Sequence, residues 1–450
     1  MAHVNYSKDP DGFRTEKTGR FYLNYGYVVV LFAFVIILVL WGVFNSFGIY
    51  FKSMISEFGW TRASTSGAFS LASFLSGLVA AYMGFLNDRF GPRVVISLCG
   101  LCLGFGCIFM SQVETLWHFY LFFGIIIGFA MGGGFIPLIS TVARWFTVHR
   151  GLMTGIVASG VGAGALIVPQ ISNTLLSRFG WRTSYIITGI GALVIVIAAA
   201  QFLKNQPGPG KQNAADEGQK TPKNEDCGDQ SASLGEALGS VPFWLFSLTG
   251  FCYGYNLFSL TVHVVPHAVD LRIPPGLAAG LLSTYGGFSI VGEILFGRVL
   301  DTINSKKTMF IGFSMMMVAF LGLVFAERTW AIFTSVGVFG FFYGACTVSH
   351  SPMTATLFGL KSHGLIMGVF AISVTIGGAL GPFLAGVVFD HTESYRLAFA
   401  FCALVSVIGM AATAGIRQMR IQHQDYIPPQ FRAFRDETFY KAQNHRQYVS

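Results

Sequence analysis

Long apolar segments recur along almost the whole chain, and they constrain its fold more than any other feature. Uncharged runs of about 20 residues can each cross roughly 30 Å of hydrocarbon as a helix that rises about 1.5 Å per residue. The runs do not alternate in polarity, which argues against a transmembrane barrel. We therefore predict an all-α membrane protein with twelve transmembrane helices, at residues 27–49, 63–86, 94–112, 116–142, 151–175, 181–203, 241–266, 277–300, 308–326, 330–358, 363–388 and 395–416.

Composition agrees with this membrane class. Of the 450 residues, 53% are hydrophobic and 11% are charged, an apolar content beyond what one soluble core requires. The first span starts after a polar stretch of 26 residues and is too long for a cleaved signal peptide, so we expect it to remain as the first helix. Six of the seven cysteines fall inside predicted helices, and no disulfide framework follows from them.

The basic residues are unevenly distributed between the two sides of the predicted bundle. Of the 29 Lys and Arg residues, 22 lie in the two tails and in the loops on the same side, and seven lie opposite. This asymmetry fits the positive-inside rule and predicts a cell (inner) membrane protein with both termini in the cytoplasm. Orientation therefore explains the formal charge of +8 without a nucleic-acid partner.

A polar segment at 204–240, rich in Gly, Pro, Gln and charge, separates six predicted spans from six. Such a composition predicts a disordered linker. The domains predicted from it are an N-terminal tail at 1–26, a six-helix bundle at 27–203, a cytoplasmic linker at 204–240, a second six-helix bundle at 241–416 and a C-terminal tail at 417–450.

The two predicted bundles resemble each other in sequence. A constant shift of 213 residues pairs Asp88 with Asp301 and Pro169 with Pro382, and the same offset holds over about 100 residues. Both halves begin on the same side, so they are predicted to be parallel repeats that pack about an axis normal to the membrane. Repeats of this kind form a solute site between them near mid-depth.

Motifs for enzymatic or nucleotide-driven chemistry are missing from the sequence. The linker stretch PGPGKQ lacks the spacing and the Ser or Thr of a phosphate loop, and no H-E-x-x-H occurs. The glycines from Gly160 to Gly164 lie in a predicted membrane helix and do not follow a strand. We therefore predict a protein that is not an enzyme and that needs no cofactor or metal.

Two segments resemble a signature of the major facilitator superfamily. GFLNDRFGPR at 84–93 looks like the G-x-L-x-D-R-x-G-R-R motif, and GRVLDTINSKK at 297–307 is a weaker copy. The resemblance implies two pseudo-symmetric six-helix bundles, the major facilitator fold, with a cytoplasmic gate at these loops. A charged loop that only sets topology is the alternative. The residues that would form the gate are Gly84, Asp88, Arg89, Arg93, Gly297 and Asp301.

A narrower resemblance covers most of the membrane region. RWFTVHRGLMTGIVASGVGAG at 144–164 is similar to the start of helix five in monocarboxylate transporters and the oxalate/formate antiporter group, as are GYVVV at 26–30 and HVVPHA at 263–268. The resemblance implies secondary transport of small carboxylates, commonly with a proton or by exchange.

Glu293 lies in the otherwise apolar run GGFSIVGEILFGRVLD at 286–301. An acid at this depth costs on the order of 3 kcal/mol on insertion scales unless it has a partner or a wet cavity. In the resembled group this part of helix eight carries an arginine for the substrate carboxylate, so the charge here is reversed. We predict that Glu293 couples protons or binds a cation, and a satisfied structural acid is the alternative.

Other polar residues in predicted helices are further candidates. His350 can share a proton with Glu293 or bind a carboxylate, or it can simply join two helices. His118, His263 and His267 are expected at the membrane interface. Residues on cavity-lining helices that could contact a solute, or could equally serve as interhelical joints, are Asn45, Tyr255, Asn256 and Tyr343.

Glycines spaced four residues apart favour close helix packing, as in Gly124, Gly128 and Gly132 and again in Gly160 with Gly164 and Gly377 with Gly381. Sliding gates are the alternative interpretation.

These observations together predict a secondary transporter that works by alternating access on a small organic acid, with proton coupling. Its partners would be a small-molecule solute, protons and the lipid bilayer, and the oligomeric state is left open. A cationic, zwitterionic or neutral solute bound at Glu293 is an alternative, and so is a membrane sensor that does not transport.

Overall fold

The structure is a computed structural model that describes residues 25–146, 150–204, 232–300, 303–359 and 363–416, without the side chains at 81, 88, 150–152, 363 and 364. The predicted tails, most of the linker and Asp301 lie outside these residues. We call residues 25–204 the N-terminal half and residues 232–416 the C-terminal half.

Glycines end two of the long helices of the N-terminal half and break a third. Ser46 separates the first two helices of the chain, which otherwise run on as one span. Gly59, Gly91 and Gly180 adopt positive φ angles of 68°, 80° and 74°, which only glycine takes without strain, and they end or break their helices. The helices are α1 (Tyr25–Asn45), α2 (Phe47–Phe58), α3 (Arg62–Phe90), α4 (Pro92–Met110), α5 (Leu116–Phe119), the π-helix Tyr120–Ile127, α6 (Gly128–Gly132), α7 (Ile136–Trp145), α8 (Arg150–Ala158) and α9 (Gly160–Ala200).

The C-terminal half begins with a short helix whose Ser233 and Glu236 form a capping box. Prolines stand inside three of its long helices, at Pro266, Pro352 and Pro382. The helices are α10 (Leu234–Leu238), α11 (Val241–Asp270), α12 (Pro275–Val299), α13 (Ser305–Phe325), α14 (Thr329–Phe358), α15 (His363–Thr392) and α16 (Arg396–Gly415).

Ten helical stretches among the described residues are long and apolar enough to cross a membrane. One of them, Met153–Ala200, contains two helices that meet at Gly180. The 30-residue helix α11 is long enough to form one more span. Counted in this way, the described residues hold the twelve predicted crossings.

Glycine ladders bring helix backbones together within each half. A Cβ atom on Gly128 would lie 2.8 Å from the Cα of Ala72, and one on Gly164 would lie 2.5 Å from the carbonyl oxygen of Leu38. A Cβ atom on Gly377 would overlap the carbonyl oxygen of Phe251. These approaches confirm the predicted packing role of the small residues.

The helices give the bundle two distinct ends. The loop at Gly91, the C-terminal end of α12 and the residues next to the linker lie at one end, which we call the linker end. The turns at Gly59, residues 111–115, 271–274, 326–328 and 393–395 lie at the other, which we call the opposite end.

Candidate solute site and gates

The two halves meet along two seams, where α9 contacts α12 and α3 contacts α15. In the first seam the Ser283 hydroxyl donates to the Leu166 carbonyl at 2.7 Å and accepts from the Gln170 amide at 3.2 Å. A Cβ atom on Gly162 would lie 2.8 Å from Ser289 Oγ. This seam is therefore closed from the opposite end as far as Ser289.

The second seam is closed over a similar length. A Cβ atom on Gly386 would lie 2.6 Å from Ser66 Oγ, and one on Gly378 would lie 2.9 Å from Ser73 Oγ. A Cβ atom on Gly77 would overlap the Thr375 side chain. Each close approach joins α3 of the N-terminal half to α15 of the C-terminal half.

Towards the linker end α3, α12 and α15 are separated, together with α8, which precedes α9 along the same span. A Cβ atom placed on Gly84, Gly155, Gly297 or Gly368 would meet no heavy atom of the described residues within 4 Å. These four glycines lie on α3, α8, α12 and α15, nearer to the linker end than the seam contacts. The halves therefore part towards the linker end and stay joined towards the opposite end.

The predicted gate motif lies where the halves have parted. Arg93 donates from Nε to the Leu203 carbonyl at 2.6 Å, and the Arg89 guanidinium lies over the Phe90 ring. Both contacts stay within the N-terminal half. The side chain of Asp88 and all of Asp301 lie outside the described residues, so the gate role of the motif stays a prediction.

An ionic cluster joins the halves at the opposite end. The Arg62 guanidinium of α3 lies 2.7 Å from Asp270 Oδ2, donates to the Tyr395 hydroxyl at 2.6 Å and stacks over the Phe389 ring at 3.6 Å. The Asp390 carboxylate accepts the backbone N–H groups of Arg62 and Ala63 at 2.8 and 2.7 Å. We call Arg62, Asp270, Asp390 and Tyr395 the opposite-end cluster.

Two more contacts extend this cluster. Lys52 of α2 donates to Asp270 at 3.0 Å. His263 is fully buried, with Nδ1 3.1 Å from the Tyr395 hydroxyl and Nε2 2.8 Å from the Pro382 carbonyl oxygen. His263 and His267 are both buried beside Tyr395, and their expected position at the level of the membrane interface stays a prediction.

Aromatic rings fill the space between the halves just below this cluster. Phe258 of the C-terminal half packs on Trp41, Phe44 and Phe69 of the N-terminal half, with ring centroids 6.4, 6.2 and 5.5 Å apart. We call these four residues the aromatic cluster. Its rings exclude water from the axis between the halves on the side of the opposite end.

Glu293 lies on the protein-facing side of α12. Its neighbours Val291, Ile294 and Leu295 are exposed large apolar side chains, as expected for the lipid side of a membrane helix. Glu293 itself is partly buried, on a different side of the helix from these three residues. It follows Ser289 by four residues, so it lies one turn beyond the point where the α9–α12 seam ends.

Two tyrosines lie in the same region as Glu293. Tyr285 lies about two turns earlier on α12, and Tyr343 of α14 packs against Tyr285 with ring centroids 5.6 Å apart. The Glu293 backbone packs against Gly344, since a Cβ atom on Gly344 would lie 2.6 Å from the Glu293 nitrogen. Within the described residues Glu293 forms no ion pair.

His350 is buried inside the C-terminal half. Its ring packs against Tyr253 at 4.8 Å and Phe370 at 4.8 Å, and its buried Nε2 atom has no partner among the described residues. Tyr253 in turn stacks on Tyr343 at 4.7 Å and shares a hydrogen bond of 2.8 Å with Thr347. Tyrosine rings therefore connect His350 to the surroundings of Glu293.

The remaining predicted contact residues have different environments. The Asn256 amide donates to Ser406 Oγ at 2.9 Å, which joins α11 to α16. Tyr255 is buried at the α11–α15 contact, where a Cβ atom on Gly381 would lie 2.5 Å from its carbonyl oxygen. Asn45 is buried next to the break between α1 and α2 and has no hydrogen bond within the described residues.

Sequence reasoning passed over Trp41, Arg62 and Asp390. Charged residues at helix ends are common on membrane proteins, and the sequence does not show that Arg62 and Asp390 meet although they are 328 residues apart. Trp41 belongs to a run of apolar residues and carries no charge. Only the packing of the two halves identifies them.

The geometry defines a class of protein. Two helical halves that are joined at one end, parted at the other and carry a polar group between them are the architecture of a membrane transporter. The sequence model described as Major Facilitator Superfamily matches residues 30–283 and 249–429, and the chain belongs to that superfamily.

Similar sequences indicate which group within the superfamily the chain resembles. The chain is similar to monocarboxylate transporter 7 of Homo sapiens, with 24% identity over 92% of this chain and 88% of the relative. It is similar to monocarboxylate transporter 12 of Mus musculus, with 24% identity over 95% and 90%. An uncharacterized MFS-type transporter, YcxA of Bacillus subtilis (strain 168), is 22% identical over 85% and 93%.

Solved structures support the fold. A bacterial homologue of the human lysosomal transporter Spinster superposes with a TM-score of 0.68 at 16% identity, over 87% of this chain and 96% of that one. The predicted major facilitator fold and the resemblance to the monocarboxylate transporter group are confirmed. The superfamily also confirms the prediction of a transporter that is not an enzyme.

Proposed function

We propose that this chain is a secondary active transporter that moves a small monocarboxylate or a related organic acid together with a proton. The observation that carries the proposal is the position of Glu293, an acid on the protein-facing side of α12, one turn beyond the end of the α9–α12 seam. The similarity to monocarboxylate transporters supports the solute class.

The proposed cycle is alternating access between the two halves. The linker end is the cytoplasmic end in this proposal, because the basic residues collect there. The described conformation then corresponds to the state open to the cytoplasm, with the opposite-end cluster and the aromatic cluster shut. In this state water from the linker end reaches the level of Glu293.

Glu293 has the properties of a proton carrier in this cycle. It has no basic partner among the described residues, so its charge is compensated only by a proton or by a bound cation. A protonated Glu293 can donate a hydrogen bond to a carboxylate, whereas an ionised one would repel it. Binding of an organic anion is therefore linked to protonation of Glu293, and the pair crosses without net charge.

The test is transport by purified protein in liposomes. Wild type is expected to accumulate labelled pyruvate or lactate when a proton gradient is imposed, and Glu293→Gln is expected to lose this accumulation while it still exchanges labelled for unlabelled acid. Glu327→Gln is the matched control, because Glu327 is exposed and pairs with Arg396 at the opposite end. Gradient-driven accumulation by Glu293→Gln at the wild-type level would contradict proton coupling.

A second solute class is favoured by one specific observation. In the described part of the chain, all Lys and Arg residues lie near an end of the bundle, and Glu293 is the acid between the halves. Such a site also suits a cationic or zwitterionic metabolite. A thermal-shift screen with lactate, pyruvate, oxalate, formate, amino acids and amines at two pH values separates the classes. Stabilisation by amines alone would overturn the carboxylate proposal.

A further inference from the structure

A groove opens on the outer side of the α9–α12 seam. Its volume is about 330 Å³, within the range of small-molecule sites. Leu166 of α9 and Phe288 and Val291 of α12 stand at its mouth, with 39%, 49% and 46% of each residue exposed. Because this side of α12 faces lipid, the groove opens into the bilayer. We call it the lateral groove, and its walls are Leu166, Ser283, Thr284, Gly287, Phe288 and Val291.

The walls of the lateral groove are apolar towards a ligand. Its two hydroxyl groups are already used, since Ser283 donates to the Leu166 carbonyl and Thr284 donates to the Gly280 carbonyl. Neither has a proton left for another acceptor. Gly287 contributes no side chain, and a Cβ atom there would lie 3.6 Å from the Leu166 side chain. An organic acid finds no donor in this groove, whereas a hydrocarbon chain fits it.

A basic residue lies in line with the lateral groove. Arg298 is exposed and forms no ion pair with another described residue. It follows Val291 by seven residues and Thr284 by 14, so all three lie on the same face of α12. The guanidinium therefore stands at the linker end of the same lipid-facing surface.

The distances match one leaflet of a membrane. At about 1.5 Å per residue, the Arg298 backbone lies roughly 10 Å from Val291 and roughly 21 Å from Thr284 along the helix. Half of the hydrocarbon core is about 15 Å thick. A lipid whose head group lies at Arg298 therefore has acyl chains that reach the lateral groove. A partner helix does not fit, since a helix with its side chains is about 10 Å wide.

We propose that the lateral groove binds one acyl chain of an anionic glycerophospholipid from the linker-end leaflet, with the lipid phosphate on Arg298. A guanidinium pairs well with a phosphate, and basic residues at this level of a membrane attract anionic lipids. This site takes a lipid and not the transported solute, so it does not depend on the proposed function.

A lipid bound in this way favours the described conformation. Its acyl chain contacts Leu166 of the N-terminal half and α12 of the C-terminal half at the same time. These contacts exist together only while α9 and α12 hold their present positions. The lipid therefore binds more tightly to the state with the opposite end closed and raises the population of that state.

The site is tested by photochemical labelling of the purified full chain. Liposomes of phosphatidylcholine contain phosphatidylglycerol that carries a photoreactive diazirine near the end of one acyl chain, and mass spectrometry locates the label. We expect label at 283–291 and at Leu166. Gly287→Leu fills the groove and should lose this label. The matched control is Gly191→Leu, since a Cβ atom on Gly191 meets no heavy atom of the described residues within 4 Å and lies outside the groove.

The head-group contact has its own pair of variants. Arg298→Gln is expected to lower labelling by phosphatidylglycerol about fivefold, because one basic residue near the surface attracts an anionic lipid by about that factor. Arg178→Gln removes an exposed cation at the opposite end and should leave labelling unchanged. Equal labelling of wild type by phosphatidylcholine and phosphatidylglycerol would overturn the role of Arg298.

The conformational effect is measured with spin labels at Gln112 and Arg328, which lie in different halves at the opposite end. Phosphatidylglycerol is expected to reduce the population of long distances in wild type but not in Gly287→Leu. Unchanged distances in wild type would overturn this effect, and labelling of the groove in Gly287→Leu at the wild-type level would overturn the site itself. If Gly287→Leu fails to reconstitute, Val291→Trp replaces it with the same expected loss.

Discussion

Single residues at the two ends of the bundle set which end is open. Arg62 contacts the C-terminal half through Asp270, Tyr395 and Phe389, and no comparable contact joins the halves at Gly84 or Gly297 within the described residues. The side chains of Arg62 and Asp270 are partly buried, at 13% and 27% exposure, so solvent screens this pair less than an ordinary surface pair.

Arg62→Gln is predicted to shift the protein towards the state open at the opposite end. Loss of the charged hydrogen bonds removes about 2 kcal/mol that favours closure, which corresponds to roughly a thirtyfold change in the ratio of the two states. Spin labels at Gln112 and Arg328 report the width of that end by electron-electron distance measurement. The expected result is a larger population of long distances.

Arg396→Gln is the control for this prediction. Arg396 pairs with Glu327 in an exposed contact inside the C-terminal half, so its loss should leave the distance distribution unchanged. Identical distributions for Arg62→Gln and wild type would show that the side-chain contacts of Arg62 do not hold the halves together.

At the residue scale the sequence indicates Glu293 as a candidate but says little about its surroundings. An acid inside an apolar run stands out because water-free burial of a charge is costly. Among the tyrosines near it, the sequence indicates Tyr343 only as one of several possible solute contacts and does not single out Tyr285. The proximity of Tyr343 to Glu293 depends on the crossing of α12 and α14, which single-sequence reasoning does not give.

At the element scale the seams depend on glycines whose backbones touch. A Cβ atom on Gly286 of α12 would lie 2.7 Å from the backbone nitrogen of Leu166 and would also overlap the Gly162 carbonyl oxygen. The next residue, Gly287, has more room, since its Cβ atom would lie 3.6 Å from the Leu166 side chain. Two adjacent positions on α12 thus differ in whether they have room for a Cβ atom.

Gly286→Ala is predicted to destabilise the closed seam, and Gly287→Ala is not. Overpacking against backbone atoms costs about 1–3 kcal/mol, because neither helix can move away without opening the contact. Melting temperature and initial transport rate, measured on both variants in parallel, are expected to fall for Gly286→Ala and to stay near wild type for Gly287→Ala. Equal behaviour of the two variants would refute the close approach of α9 and α12.

Helix number and type were predictable from the sequence, because apolar length alone requires helices in a bilayer. The breaks inside the helices could not be predicted from the sequence. Gly180 interrupts Gly160–Ala200 through a positive φ angle, and the region Tyr120–Ile127 winds as a π-helix. Such features depend on how neighbouring helices pack, and a pattern of apolar residues does not encode them.

At the scale of the whole molecule, transport requires that the seams open and close as the halves move. A disulfide across a seam should stop this motion. Ser66→Cys combined with Gly386→Cys places two sulfur atoms across the α3–α15 seam, where the present contact is 2.6 Å from Cβ to Oγ. The two Cβ atoms lie at least 2.9 Å apart, and a small shift brings them to the roughly 3.5–4.5 Å of a disulfide. A Cβ atom on Gly386 would also lie 2.9 Å from the Ala63 Cα, so the reduced variant is expected to transport somewhat more slowly than wild type.

We expect this double variant to be inactive when oxidised and to recover transport after reduction. The control is Gly322→Cys with Ser335→Cys, a pair that is also in close contact but lies inside the C-terminal half. Its disulfide should leave transport intact. Full activity of the oxidised Ser66 and Gly386 variant would mean that the α3–α15 seam stays closed throughout the cycle.

The sequence also anticipated the division into two related halves, through the constant offset of 213 residues. It did not anticipate that the halves are tied unequally. The α3–α15 side carries the ionic contacts of Arg62, whereas the α9–α12 side relies on hydroxyl and glycine contacts such as Ser283 with Leu166. The same offset places Arg62 opposite Pro275, so the symmetry of the sequence does not extend to the ionic contacts of Arg62, although Ser283 does fall opposite Ser70.

The carboxylate of Asp390 on the α3–α15 side also stabilises the start of helix α3. It supplies acceptors for the first two backbone N–H groups of α3 from the other half of the protein. When the halves separate, those amides lose their acceptors and must be hydrated. Opening of the opposite end therefore exposes the first turn of α3, which can fray. The free energy of hydrating that turn becomes part of the barrier to transport.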